Sequence, residues 1–231
     1  SSSAPPTSTT EILHPLPGAP NNVFRITNDV EVDDGLAPSP PPTHGYRNIF
    51  DLPISYDLNI TSNIFHPSNL LLLNSTGPPS SSYTTRFLCI DSTIAALHLP
   101  TITNYFSAHS ITLTTCVLHG EEENKQLPQL TQLLDALTIY KLRRREPILA
   151  IGGGVLLDIA GMAASLYRRG VPFVRIPTTL LSIVDASVGV KNGIDYCCSN
   201  GCSYKNRLGS FYPPSSVLLD ANTFVATQDA R

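Results

Sequence analysis

Several absences narrow what this chain can be. No apolar run reaches the roughly 20 residues a membrane-spanning helix needs, and the longest, Val155 to Leu166, is broken by Asp158 and Gly161. Charge of one sign is also scarce, since 15 Lys and Arg stand against 18 Asp and Glu for a net −3 over 231 residues. That balance gives no electrostatic reason to expect nucleic acid or an anionic membrane as partner, so a small metabolite is the better fit. Cysteine lacks a framework: Cys89, Cys116, Cys197, Cys198 and Cys202 are odd in number and show no paired spacing. A reducing compartment follows, the cytoplasm first. An initiator is missing too, because the chain starts at Ser1 and its only methionine is Met162, and a processed product or fragment is expected.

Residues 1–50 are rich in Pro and Ser/Thr and carry 9 of the 20 prolines, including Pro38-Ser-Pro-Pro-Pro42, and show neither helical nor strand periodicity over a useful window. Such a segment buries too little apolar surface to offset its ordering entropy, and a disordered tail is expected. Its first ten residues are uncharged and Ser/Thr-rich, as in a transit-peptide remnant, which gives a plastid as the alternative address; no arginine precedes Arg25, and a plain linker is the preferred reading.

Beyond the tail, strand and helix patterns alternate. Strands are expected at 54–60, at 86–90 running into Asp91, at 111–118, 148–151 and 173–176. Helices are expected from Ser92 to Leu97 or beyond, at 102–109, at 127–142 and at 155–169. This alternation implies an α/β fold with a Rossmann-like, mostly parallel sheet and flanking helices, in which ligands sit at the carboxyl ends of strands.

The most informative stretch lies at such an end: Ile148-Leu-Ala-Ile, then Gly152-Gly-Gly154, then a helix bearing Asp158. A strand that empties into glycine and restarts as a helix brings backbone amides and the positive helix end to a phosphate. The pattern is neither a full dinucleotide fingerprint, whose last glycine falls on Leu157, nor a Walker loop. Tight helix–strand packing is its plain alternative. Asp91 and the Glu121-Glu-Glu-Asn-Lys125 segment occupy other strand ends, the latter read on its own as a solvated loop. Asp185 lies in an otherwise apolar run, 180–188, where an unpaired carboxylate is costly. Arg168 and Arg169 are explained equally by a helix C-terminus closed at Gly170. Cys197, Cys198 and Cys202, with no histidine nearby, make a poor zinc site; residues 192–204 are expected to be an inserted loop.

From Gly152 to Asp220 the chain resembles the sugar phosphate cyclase superfamily, the dehydroquinate synthase-like proteins. The matching residues are Gly152-Gly-Gly-Val-Leu-Leu-Asp158, Tyr167-Arg-Arg-Gly-Val-Pro172, Ile176-Pro-Thr-Thr-Leu-Leu181, Val184-Asp185, Gly189-Val-Lys191, Lys205-Asn-Arg-Leu-Gly209 and Phe211-Tyr-Pro-Pro214. Gly-Val-Lys and Lys-Asn-Arg-Leu-Gly look more like the 2-epi-5-epi-valiolone synthase branch than the dehydroquinate synthase branch, and the likeness extends over roughly residues 54–231.

The resemblance implies an NAD-dependent, phosphate-eliminating lyase that closes a carbocycle and regenerates its cofactor in each turnover. It implies cofactor contacts from Asp91, Thr93 (where the family usually has asparagine), Glu122, Lys125, Gly153, Gly154, Val155, Asp158, Thr178, Thr179 and Lys205. Thr178 and Thr179 would also cap the next helix. Asp185, Lys191 and Asn206 would reach the substrate's hydroxyls and phosphate, with Arg169 adding positive charge. Zinc or cobalt is implied for the full-length enzyme, on a glutamate and two histidines of a second domain expected beyond Arg231. No metal ligand is expected within this chain, whose domains are then a 1–50 tail and a 51–231 NAD-binding domain. On that view the polypeptide binds cofactor better than it turns over, and the full-length form is a homodimer acting on a sugar phosphate, sedoheptulose 7-phosphate first and the dehydroquinate precursor second. A non-catalytic NAD-binding module and a relative of iron-dependent alcohol or glycerol dehydrogenases are the readings from other classes.

Overall fold

The structure, a computed structural model, describes residues 54–76 and 84–225, together with the strand backbone of 10–15, 23–29 and 44–48. Two compact units divide the chain, Ser1–Pro53 and Ile54–Arg231. In the first, β1 (Thr10–Pro15), β2 (Val23–Asp29) and β3 (His44–Asn48) form an antiparallel sheet with β2 central. These three strands lie within the segment 1–50 that the sequence sets apart as a tail. Val23-Phe-Arg-Ile-Thr27 concentrates β-branched and aromatic residues, a local signal that the surrounding Pro and Ser dilute. The Pro38–Pro42 run lies outside the described residues.

The second unit holds β4 (Asp57–Ile60), α1 (Leu71–Ser75), β5 (Thr85–Asp91), α2 (Ser92–Ala108), β6 (Thr112–Leu118), α3 (Leu127–Tyr140), β7 (Ile148–Gly152), α4 (Gly154–Leu166), β8 (Phe173–Pro177), β9 (Lys191–Cys197), β10 (Ser203–Phe211), β11 (Ser216–Leu219) and α5 (Ala221–Val225). Six strands make one parallel sheet in the order β4-β11-β8-β7-β5-β6. Every residue of β7 and β8 is buried, which is why these central strands read as continuous rather than alternating apolar runs. Successive residues of β5 serve opposite faces: Phe87 and Cys89 join the core under α3 and α4, and Leu88 and Ile90 join the core with α2 and Phe224, as strand geometry requires.

The chain leaves β5 through α2 toward β6 and leaves β7 through α4 toward β8, so the connections diverge from the adjacent pair β5–β7. The carboxyl ends of these two strands, Asp91 and Gly152, form the topological switch point where open α/β sheets bind ligands.

Three expectations change. The two helices of 92–109 are one, continuous through Pro100, whose buried positions Ile94, Ala95, Ile102, Tyr105 and Phe106 hold both halves against the sheet. The helix after the glycines stops at Leu166, not Arg169, and Arg168 and Arg169 take left-handed backbone (φ 52° and 65°) before Gly170 at φ 118°. Residues 191–211 form an antiparallel hairpin, β9–β10, in place of a loop; Cys198 N–H donates to the Cys202 carbonyl (2.8 Å) at its tip, and Gly201 supplies the positive φ. β11 is too short, at four residues, for its pattern to stand out. Among the described residues no helix is long and apolar enough to cross a membrane.

Candidate functional site

At the end of β5, Asp91 caps α2: its Oδ1 accepts from Thr93 N–H (2.9 Å) and Ile94 N–H (3.2 Å). A Cβ on Gly120 would lie 2.0 Å from Asp91 Oδ2, so the loop after β6 passes the carboxylate at a distance only glycine permits. Thr93 is exposed on the first turn of α2, beside the switch point.

The three glycines divide by function. A Cβ on Gly152 would meet Leu156 Cβ at 3.0 Å and Asp91 Cβ at 3.2 Å, so this glycine serves packing. Added to Gly153 it would meet only Thr179, from 3.4 Å, and added to Gly154 only Ala186 Cβ, at 3.9 Å. Protein packing therefore does not demand glycine at 153 or 154. Gly153 is the N-cap of α4, with no side-chain cap and no acid in the first turn. The amides of Gly154 and Val155 thus begin a 13-residue helix whose positive end no side chain of the cap or first turn occupies.

A second centre forms around Lys125, which follows a short 3₁₀ turn at Glu122–Asn124. Its backbone runs alongside β9: Gln126 bridges Asp195, and Asp195 N–H donates to the Lys125 carbonyl (2.7 Å). Lys125 Nζ lies 2.6 Å from Asp158 Oδ2 and donates to Asn206 Oδ1 (2.9 Å). Asn206 is left-handed (φ 50°), a conformation asparagine tolerates, and its N–H is held by Asp195 Oδ1 (2.7 Å). Burial pushes the Asp158 carboxyl above its usual range, outweighing the downward pull of Lys125 and Arg175. On the exposed side of the hairpin, Lys205 Nζ pairs with Glu122 Oε1 at 2.9 Å, which pushes the lysine up.

Beyond β8, Thr179 caps the next turn: its Oγ1 accepts from Ser182 N–H (3.2 Å) while Ser182 Oγ accepts from Thr179 N–H (3.0 Å). Thr179 fills the capping role expected of the pair, and Thr178 is buried beside it. Ser182–Ala186 is a π-helical turn, a geometry frequent at functional sites, and it presents Asp185. Asp185 is exposed, and so are Leu180, Leu181, Val184 and Val188, Leu181 at 71%. The expected burial of this run is thus corrected: its apolar residues face outward around the acid. A cavity of about 640 Å³ lies between this turn, α4 and the hairpin, lined by Lys125, Asp158, Asp185, Lys191, Asn206 and Phe211, among others.

Of the expected site residues, Lys125, Asp158, Asp185, Lys191 and Asn206 therefore meet. Asp91, Thr93, Gly153, Gly154 and Val155 gather at the switch point next to them. Arg169 does not join: α4 carries the chain about 20 Å back across the sheet, and Arg169 is exposed at its far end. Cys197, Cys198 and Cys202 are free thiols near the hairpin tip. Among the described residues no group of three or more His, Cys, Asp or Glu could hold a metal ion.

Sequence reasoning missed Arg175, Asn192 and Asp195. Arg175, fully buried on β8, donates to the carbonyls of Ala186 (2.7 Å) and Gly189 (2.6 Å) and to Asn192 Oδ1 (2.7 Å). A charge inside Phe173-Val-Arg-Ile176, otherwise apolar, was the available signal.

A parallel sheet with an open glycine turn at its switch point and a charged pocket alongside defines a Rossmann-like α/β protein. A sequence profile of the family described as 3-dehydroquinate synthase N-terminal matches residues 115–231. A 2-epi-5-epi-valiolone synthase of Actinomyces sp. is 39% identical over 179 residues, 77% of this chain and 45% of that protein. One from Streptomyces albus is 43% identical over 180 residues, covering 77% and 42%. The solved structure of ValA, the 2-epi-5-epi-valiolone synthase of Streptomyces hygroscopicus subsp. jinggangensis, with NAD+ and Zn2+ bound, superposes with a TM-score of 0.69 at 35% identity, over 78% of this chain and 47% of that one. The chain belongs to the dehydroquinate synthase-like family of sugar phosphate cyclases. It spans less than half the length of these relatives, which are bacterial and lend a plastid no support.

Proposed function

We propose that this chain is the cofactor-binding half of an NAD-dependent sugar phosphate cyclase that converts sedoheptulose 7-phosphate to 2-epi-5-epi-valiolone. The observation that carries the reading is the convergence of Lys125, Asp158, Asp185, Lys191 and Asn206 on one pocket beside the glycine turn. The valiolone synthase names of the relatives and the Gly189-Val-Lys191 and Lys205-Asn-Arg-Leu-Gly209 wording favour the heptulose phosphate over the dehydroquinate precursor.

The residues present fit a dinucleotide. Gly153 and Gly154 leave room for a pyrophosphate, and the uncapped amides at the start of α4 donate to it. Asp91 and Thr93 stand where ribose hydroxyls would be read, and Thr178 and Thr179 close the opposite side. Bound NAD would supply a hydride acceptor that returns the hydride later in the same turnover. Lys125 holds Asp158 and Asn206 in fixed orientation. Asp185 accepts hydrogen bonds from substrate hydroxyls, and Lys191 and Asn206 meet the phosphate, steadying its charge as it leaves. Glu122 and Lys205 form a charged rim. The described residues do not provide a metal site, and no step is assigned to a metal.

The test uses the full-length protein that carries this chain. Denaturation should release about one NAD per chain, because a cofactor that returns to its starting state has no need to leave. Incubation with sedoheptulose 7-phosphate should then liberate inorganic phosphate faster than incubation with the dehydroquinate precursor. Absence of nucleotide removes the cofactor reading, and the opposite substrate order moves the enzyme to the dehydroquinate branch.

A further inference from the structure

We propose that Arg175 is a positioning residue for the substrate, fixing the wall that carries Asp185 and Lys191 without touching the ligand. The proposal rests on the reading of the pocket as a sugar phosphate site and names what sets its shape.

Arg175 stands on a central strand with no exposed surface. Such burial of a cation is costly, and here it lowers the pKa of the guanidinium. Yet among the described residues the guanidinium is in no salt bridge, and the Asp158 carboxylate acts on it only through space. Its hydrogen-bond acceptors are neutral: the carbonyls of Ala186 and Gly189 and the Asn192 amide oxygen, with the Phe173 ring 5.1 Å away. Ala186 directly follows Asp185, and Gly189 lies two residues before Lys191. One side chain therefore ties the wall between its two functional groups. Tyr56 adds a third tie, donating its hydroxyl to the Val188 carbonyl. External ties matter here because the wall is a π turn with outward-facing Leu180, Leu181, Val184 and Val188, and little of its own apolar surface anchors it.

Asn192 is the second arm. Its Nδ2 donates to the Tyr212 carbonyl (2.9 Å), and its amide occupies space that a Cβ on Gly161 would need, 1.8 Å from Oδ1. Gly161 is thus a notch in α4 into which Arg175 draws Asn192, and the position of neighbouring Lys191 is set from β8 and α4 together. A glycine inside a helix is disfavoured on propensity alone, and this notch is its use.

The full-length enzyme is compared with R175K, R175Q and G161A; the last variant evicts Asn192 and leaves Arg175 intact. The readouts are NAD content after purification, KM and kcat with sedoheptulose 7-phosphate, and amide hydrogen exchange over 183–192. Expected are unchanged NAD content, a fall of about tenfold or more in kcat/KM for R175Q and G161A, partial recovery in R175K, and faster exchange confined to this segment. The double variant R175Q/G161A should lose no more than the worse single variant, since both act through Asn192 and its neighbours. Wild-type kcat/KM and exchange in R175Q overturns the proposal, as does NAD loss in step with activity, or additive losses in the double variant. If the unaltered protein holds no NAD and turns over no sugar phosphate, the functional reading fails separately; unchanged exchange in R175Q would still overturn the structural claim, and faster exchange would uphold it.

Discussion

Lys125 Nζ sits 2.6 Å from Asp158 Oδ2, joining the loop after β6 to the first turns of α4. Both groups are largely withdrawn from water, and each is the other's main compensation for that withdrawal. Removing one partner of such a pair leaves an uncompensated charge, at about 3 kcal/mol. K125M is therefore expected to lower the melting temperature by roughly 6–12 °C, taking 2–4 °C per kcal/mol for a domain of this size. K125M/D158L, which removes both charges, should recover part of the loss. A K125M melt within a degree of wild type would mean that the pair is solvated in solution.

Asp158 also predicts a pH dependence. Its folded pKa is raised above the unfolded value, chiefly by burial, so the folded state binds the proton more tightly than the unfolded chain does. The contribution is fully present below the unfolded pKa and is lost as pH rises through the folded one. D158N should remove this term: the difference in unfolding free energy between D158N and wild type should shift in favour of D158N as pH climbs through that window, and level off above it. Urea titrations at several pH values measure the difference, and a shift of opposite sign would show that Lys125 outweighs burial.

Gly152, Gly153 and Gly154 should separate cleanly under substitution. G152A drives a Cβ against Leu156 and Asp91 and should destabilise by about 1–3 kcal/mol through overpacking. G153A and G154A have room for the methyl within the protein; G154A should melt within about a degree or two of wild type, and G153A, which puts alanine at the N-cap, no more than about 2–4 °C below it. Their Cβ atoms enter the space assigned to the pyrophosphate, so NAD affinity should fall at least about tenfold, or 1.4 kcal/mol. Calorimetric titration with NAD alongside melting distinguishes the three. Equal stability loss at all three positions would return the whole turn to a packing role.

These contrasts show what was legible in the residues. The sheet was readable because buried parallel strands are contiguous apolar runs, as in Ile148-Leu-Ala-Ile151 and Phe173-Val-Arg-Ile176, and because glycine and the acids marked their carboxyl ends. The pocket was readable only through motif order, since Lys125 and Asn206 meet across 81 positions of chain and no local pattern encodes such a contact. Asp185 was selected for burial that it does not have; an apolar run reports burial only when something packs on it, and Leu180, Leu181, Val184 and Val188 face outward. Arg169 stands apart from this pocket within the chain, because sequence proximity to Gly154 becomes a separation of about 20 Å once the intervening residues form a helix. The hairpin tip hid its turn in Cys198-Ser-Asn-Gly-Cys202, where the Asn-Gly pair was the overlooked signal.

Thr179 and Ser182 exchange hydrogen bonds across the start of the turn that carries Asp185. T179A removes the side-chain half of that cap and should cost about 1 kcal/mol, a fall of roughly 2–4 °C in melting temperature. T179S keeps the oxygen and should restore stability, and comparison of the two melts isolates the cap from the methyl group.

Asn206 combines two demands that substitution can divide. Its left-handed backbone is cheap for asparagine or glycine and costs other residues about 1–2 kcal/mol, while its side-chain oxygen accepts from Lys125. N206G should therefore keep near-native stability at the backbone yet lose the bond, and N206A should lose both. The expected order of melting temperature is wild type, then N206G, then N206A. Turnover of the full-length enzyme should fall by a similar factor in both variants, since each lacks the amide proposed to meet the substrate phosphate. If N206G retains wild-type kcat/KM, Asn206 serves the hairpin's geometry alone and the phosphate is read by Lys191 without it.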